Sequence, residues 1–133
     1  MTNINKTFGT RAENFLIKEL DKLDVTAEIK NIYYDVLTCE GHKIEVKSCT
    51  LTKRNGHNER TIGRFKLSES FNKIKQDENK VWICFIVRHK DNQFILGLLE
   101  SHKVNAMTSV SIHSVVEYGC LTVGDFLEQT AYD

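Results

Sequence analysis

The sequence predicts an α/β fold, a small mixed β-sheet flanked by helices, and three observations carry that expectation. Apolar residues from Phe8 to Leu23 recur at helical spacing, the run VWICFIVRH at 81–89 is almost wholly apolar, and residues 25–50 break into short β-branched stretches. A strand apolar on both faces needs a layer above and below it, which an amphipathic helix can supply on one side. At 133 residues the chain is expected to form one domain with a single core.

In chain order, the first element is a helix with Phe8, Ala12, Phe15, Leu16, Leu20 and Leu23 on its apolar side and Thr7 as N-cap. Strand-like runs follow at 25–30 (VTAEIK), 32–38 (IYYDVLT) and 42–50 (HKIEVKSCT), the last two joined through Gly41 as a hairpin. LTKRNGHNER is a polar loop centred on Asn55-Gly56, and TIGRFKL is a further short strand. Ser68 caps a second helix, ESFNKIKQDEN, with Phe71 and Ile74 turned inward. The run at 81–89 is a central strand, and QFILGLLE (93–100) pairs with it after the Asp91-Asn92 turn. The tail reads as a helical turn near SHKVNAM, a strand near SIHSVVEY and a short helix at VGDFLEQ.

Composition excludes several classes. No apolar run approaches the roughly 18 residues of a membrane span, and the N-terminus lacks the pattern of a secretory signal, so a cytoplasmic protein is expected. Cys39, Cys49, Cys84 and Cys120 make no C-x-x-C pair and the five histidines are scattered, which argues for reduced thiols and against a zinc site. Net charge is zero but unevenly placed. Residues 48–67 carry Lys53, Arg54, Arg60, Arg64 and Lys66 against Glu59 alone, whereas residues 91–133 are acidic with Lys103 as their one Lys or Arg. A neutral total can therefore hide a basic face.

The strand at 42–50 poses the chemical question. Side chains alternate along a strand, so Glu45 and Lys47 share one face and Ile44 and Val46 the other. A hairpin with the preceding strand would bring Asp35 close to Glu45. Two carboxylates so placed repel unless a cation sits between them, which makes a hard-oxygen metal site with the ammonium of Lys47 beside it. Such a site suits phosphodiester hydrolysis: the metal neutralises charge on the phosphate and lowers the pKa of water, and the lysine orients water or steadies the added charge.

These residues resemble a known family. Asp35, nine residues, then Glu45-Val46-Lys47 is similar to the D…(D/E)-x-K signature of the PD-(D/E)XK nuclease superfamily. Upstream, FGTRAENFLIKEL resembles the opening helix of the archaeal Holliday-junction resolvase-like branch, where a glycine and a small-residue-Arg-x-Glu sequence precede the motif. The resemblance spans residues 6–88 and implies a restriction-endonuclease-like core. It also implies Glu13 as a helix-borne acid at the metal, and Asp35 and Glu45 as metal ligands with the Val46 backbone carbonyl. Lys47 would be the catalytic lysine, and Ser48 the serine that often follows it. Mg2+ is the implied cofactor, with Mn2+ able to substitute. Tyr34 stands where the superfamily's name has proline, and the chain is neutral where the resolvase branch is basic, so restriction, repair or virus-encoded nucleases are equal alternatives.

The expected partner is DNA, duplex or branched. Arg11, Ser48, Lys53, Arg54, Arg60, Arg64 and Lys66 are the candidate contacts, because phosphate-binding arms belong beside the cleavage centre. One active site per small chain implies a homodimer to cut two strands, its surface drawn from residues 91–133. Two rivals are a non-catalytic DNA-binding or assembly module of the same fold, and a nuclease acting on RNA or single-stranded DNA.

Overall fold

The computed structural model describes residues 4–54, 56–67 and 70–131. Helix α1 (Ile4–Lys22) presents Ala12, Leu16 and Leu20, spaced by four and fully buried. Thr7 lies inside this helix instead of capping it. The buried stripe ends at Leu20: the chain turns through Asp24 at positive φ, and Leu23 is left half-exposed.

Strands β1 (Ala27–Ile29), β2 (Val36–Thr38) and β3 (Lys43–Thr50) form an antiparallel meander. The second is shorter than its β-branched run predicts. Asn31 takes a positive φ, and the Ile32 N–H bonds the Tyr34 carbonyl at 2.9 Å, so residues 32–35 bend out of the sheet. After β3 the chain forms a two-stranded ribbon, β4 (Thr52–Arg54) with β5 (Arg60–Ile62). Gly63 then splits the predicted TIGRFKL strand, because β6 (Arg64–Lys66) pairs not with the ribbon but with β9 (Ser109–Ser111).

Helix α2 (Ser70–Glu78) corrects a second expectation: Ile74 is 61% exposed, and the buried position on this helix is Gln76. Two residues apart is nearly half a helical turn, so the two point to opposite sides. The Ser68 cap and the Phe71 side chain lie outside the described residues. Strand β7 (Trp82–His89) runs parallel to β3 and antiparallel to β8 (Asn92–Glu100), giving a five-stranded mixed sheet of order β1-β2-β3-β7-β8. The SIHSVVEY stretch is chiefly helix α3 (Ile112–Glu117), not strand. Ser111 caps it by accepting the Ser114 N–H at 3.1 Å, and that cap outweighs the β-branched residues. Helix α4 (Val123–Thr130), capped by Thr122, closes the described fold.

The sheet separates two apolar layers. On one side Trp82, Cys84 and Ile86 of β7 meet α1 and Phe126 of α4; on the other Ile83, Phe85 and Val87 meet Phe65, Val110 and Val115. A strand buried on both faces reads as an unbroken apolar run, as β7 does. The mixed sheet flanked by helices is the α/β class expected from sequence. The four cysteines are free, and no helix among the described residues is long and apolar enough to cross a membrane.

Candidate active site

The site forms where β2 and β3 part. Their ladder pairs Leu37 with Lys43 and Val36 with Ile44, and the Asp35 N–H still reaches the Ile44 carbonyl at 3.0 Å. Beyond that point the chain before β2 bends away, so the next donor on this side of β3, the Val46 N–H, has no backbone partner across from it. The Asp35 side chain takes that place: its Oδ2 accepts from the Val46 N–H at 2.7 Å. In a strand the N–H and C=O of one residue point the same way, so the Val46 carbonyl opens onto the same fork.

Glu45 and Lys47 stand on the opposite edge of this fork. Lys47 Nζ lies 3.3 Å from Glu45 Oε1, with both side chains more buried than exposed. The other Glu45 oxygen, Oε2, accepts from Gln76 Nε2 at 3.0 Å, and the same amide nitrogen donates to the Tyr33 carbonyl at 3.1 Å. One buried side chain thus ties α2 both to Glu45 and to the bend that presents Asp35. Sequence reading missed Gln76. Its signal was faint: a polar residue on the side of a short helix that the exposed Ile74 vacates.

Electrostatics bind the acids into a unit. Burial pushes Asp35 above the usual carboxylate range, against the Val46 N–H, the Lys47 ammonium and a hydrogen bond with Glu45, which pull it down. Burial, reinforced by the charge of Asp35, lifts Glu13 from 4.5 to about 7. Carboxyl groups hydrogen-bonded to each other must share either a proton or a cation.

Among the described residues no three His, Cys, Asp or Glu side chains converge tightly enough to enclose an ion. The donors at the fork are instead the Asp35 and Glu45 carboxylates and the Val46 carbonyl, with Glu13 within electrostatic reach of Asp35. One or two carboxylates, a carbonyl and retained water are what a magnesium-like ion prefers, so this donor set fits such a cofactor.

The other candidate residues divide. Ser48 alternates to the face of Val46, away from Lys47. Arg11 is exposed on α1, and its charge is felt at Arg88 near the end of β7; Arg88 and Lys53 in turn act on the buried Cys49 thiol, itself lifted to about 11 by burial. Arg88 was not among the sequence candidates. Arg54 and Arg60 sit at the far end of the ribbon and are exposed. Arg64 and Lys66 line the outer side of β6 with Phe65 buried between them, and Arg64 donates to Ser109 Oγ at 3.1 Å.

A cleft of about 680 Å3 lies elsewhere, at the N-terminal ends of β3 and β7 beside Lys43, Lys80, Trp82 and His102. Against Glu45, Lys47 and Gln76 the hollow is only about 30 Å3. That is far below the volume that encloses a small-molecule ligand.

Residues 1–124 match the family model described as PD-(D/E)XK nuclease superfamily domain. Comparison with curated proteins and with solved structures gives no match. The chain belongs to the PD-(D/E)XK nuclease superfamily, whose members are typically nucleases and generally use divalent metals.

Proposed function

We propose that this superfamily member is a metal-dependent DNA endonuclease that hydrolyses phosphodiester bonds at the β2–β3 fork. The observation that carries the reading is the carboxylate pair Asp35–Glu45 with the Lys47 ammonium 3.3 Å from Glu45. A binding module has no use for acids buried beside each other at a fork in the sheet, and their repulsion would only weaken the fold.

In this reading Asp35, Glu45 and the Val46 carbonyl hold a magnesium ion, replaceable by manganese, and Glu13 supports it through Asp35 or bound water. The ion supplies charge neutralisation at the phosphate and a more acidic water. The remaining work belongs to the chain. Val46 N–H fixes the Asp35 carboxylate, and Gln76 fixes Glu45, so neither acid must reorganise during the reaction. Lys47, held by Glu45, directs its Nζ hydrogens at the attacking water or at a non-bridging phosphate oxygen, where negative charge grows. Duplex or branched DNA is the substrate we favour, with Holliday-junction and restriction-type cleavage as its two forms. Because one chain carries one such centre, cleavage of both strands calls for a homodimer.

The test is incubation of the purified protein with labelled linear duplexes, flaps and four-way junctions, in Mg2+ or EDTA, beside Lys47→Ala and Glu45→Ala. Metal-dependent cleavage abolished in both variants supports the nuclease, and the preferred substrate separates junction resolution from linear cutting. No cleavage of any substrate, with wild type and variants binding DNA alike, overturns it in favour of a binding module.

A further inference from the structure

The ribbon that follows β3 carries a feature that the fork does not require. Its root is fixed by backbone contacts: the Leu51 N–H bonds the Arg88 carbonyl at 2.8 Å and the Gly63 N–H bonds the Leu51 carbonyl at 2.9 Å. Gly63 packs so closely here that a Cβ would fall 1.8 Å from the Thr50 carbonyl oxygen, so no larger residue fits without moving the ribbon. From this root the ladder runs Thr52 opposite Ile62, Lys53 opposite Thr61 and Arg54 opposite Arg60.

Residues directly opposite in an antiparallel pair share a face. Arg54 and Arg60 therefore stand side by side, on the face that carries Ile62, while Lys53 and Thr61 occupy the other. Ile62 packs against the layer of Cys49, Phe65, Ile83 and Phe85. Ile83 and Phe85 are the residues alongside Glu45 and Lys47 in the parallel ladder, so the arginine pair looks out on the side of the sheet where the Glu-x-Lys residues emerge. Like charges directly opposite weaken a ladder. Neither guanidinium enters an ion pair among the described residues, and Arg54 donates to the neutral carbonyl of Asn58 at 3.0 Å. A pair so placed has its repulsion relieved by an anion set between the two guanidiniums, and a phosphate matches their fork geometry.

We propose that the β4–β5 ribbon is a duplex-DNA arm whose Arg54–Arg60 pair takes one backbone phosphate, set apart from the scissile one by a fixed distance. This rests on the nuclease reading for the position of the scissile phosphate. Arg54 lies seven positions after Lys47, and at about 3.3 Å per residue with a bend at Leu51 the span is about 20 Å. At about 3.4 Å of axial rise per nucleotide that is at most about six positions along one strand, and fewer once the strand's winding is included. A stiff duplex holds two phosphates at that separation, whereas a single strand does not. Nor does residue range 51–62 contain a Phe, Tyr or Trp on which unpaired bases could stack.

The test is fluorescence anisotropy in EDTA with a labelled 30-base-pair DNA duplex, its single strand, and an RNA duplex of the same sequence, so that binding is read without catalysis. Arg54→Ala/Arg60→Ala should bind the DNA duplex about tenfold more weakly near 0.1 M salt, and its slope of log affinity on log salt should fall by about 0.9. Lys53→Ala, on the opposite ribbon face, should weaken binding less than threefold. Arg54→Glu should raise the melting temperature slightly, by pairing with Arg60, yet weaken binding at least as much as the double variant, which separates lost contacts from lost folding. The proposal is overturned if the double variant binds like wild type, if Lys53→Ala costs as much, or if single-stranded DNA or the RNA duplex loses equally. Failure of the nuclease reading would show separately, as absence of cleavage in Mg2+ whatever the anisotropy gives.

Discussion

Strands β3 and β7 lie side by side in parallel register, Ile44 to Thr50 against Trp82 to Arg88, and yet they could hardly differ more in content. Residues 82–87 of β7 are buried on both faces, whereas β3 is half-buried from Glu45 to Ser48 and carries a glutamate and a lysine there. The ladder between them is the same for both. What differs is the other neighbour. On its far side β7 has β8 along its whole length, but β3 has only the short β2, which gives out at Asp35. A strand paired on both sides and buried on both faces, as β7 is, has its backbone and side chains committed to the core; one whose second partner stops short exposes peptide groups and the side chains beside them. The difference teaches that the fork, not the motif by itself, makes β3 the chemical strand, with β7 holding it in register.

The sharpest way to break that comparison is to remove one side chain from each strand. Lys47→Ala should lower cleavage by about 10³-fold or more, the scale of a lost electrostatic stabiliser, while the melting transition stays close to that of wild type. Phe85→Ala, its partner across the ladder, should do the reverse: about 3–5 kcal/mol of stability is lost from a fully buried aromatic, read by denaturant unfolding, with cleavage per folded molecule retained. If both substitutions affected both measurements alike, the division of labour between the strands would be wrong.

A smaller effect is expected at the contact that steadies the fork from outside the sheet. Gln76→Ala leaves the Glu45 and Tyr33 acceptors without their shared donor and should cost about 1–3 kcal/mol, together with about a tenfold loss of cleavage. Gln76→Glu should be worse on both counts, because it sets a third carboxylate against Glu45; a variant indistinguishable from wild type would remove Gln76 from the site.

The smallest effect is one of pH. Glu13 has its folded pKa raised from 4.5 to about 7, so the folded state keeps a proton that the unfolded chain has already lost. Below 4.5 both states are protonated and burial of this group carries no charge penalty; from there to about 7 the penalty grows, and above 7 it is fully present. Stability without metal should therefore fall as pH rises across that window, modestly because Glu13 is partly in solvent. Glu13→Gln should flatten this dependence, and added Mg2+ should shift it to lower pH by competing with the proton. Melting curves at a series of pH values test both statements.

How much of this could be read beforehand varied with the kind of signal. Helix α1 and strand β7 with its hairpin to β8 follow from periodicities of 3.6 and 2 and from runs long enough to be unambiguous, whereas the short α4 rested on a weaker pattern. Asp35, Glu45 and Lys47 were legible too, because charges within a β-branched run are conspicuous, and the structure brings these three together. Gln76 was not, since one amide on a short polar helix looks like surface until a neighbour's carboxylate is seen beneath it. Residues 112–117 were misread for a related reason: Ile, Val and Val favour a strand locally, and a hydroxyl cap at Ser111 decided for a helix. Gly63 gave no hint that it would divide residues 60–66 between two sheets, which depends on how near Thr50 lies.

The sequence by itself determined which strand is core and which carries charge, and with them the acids and the lysine, because side-chain alternation is a local property of the backbone. Only the tertiary structure decided that β2 ends at Asp35 and that its carboxylate replaces a backbone partner for Val46. Only it decided that Gln76 reaches Glu45 and that two arginines of the ribbon stand opposite each other. Those outcomes depend on where separate segments pair and where pairing stops. Register between distant strands is set by the packing of the whole sheet, and no single stretch of residues contains it.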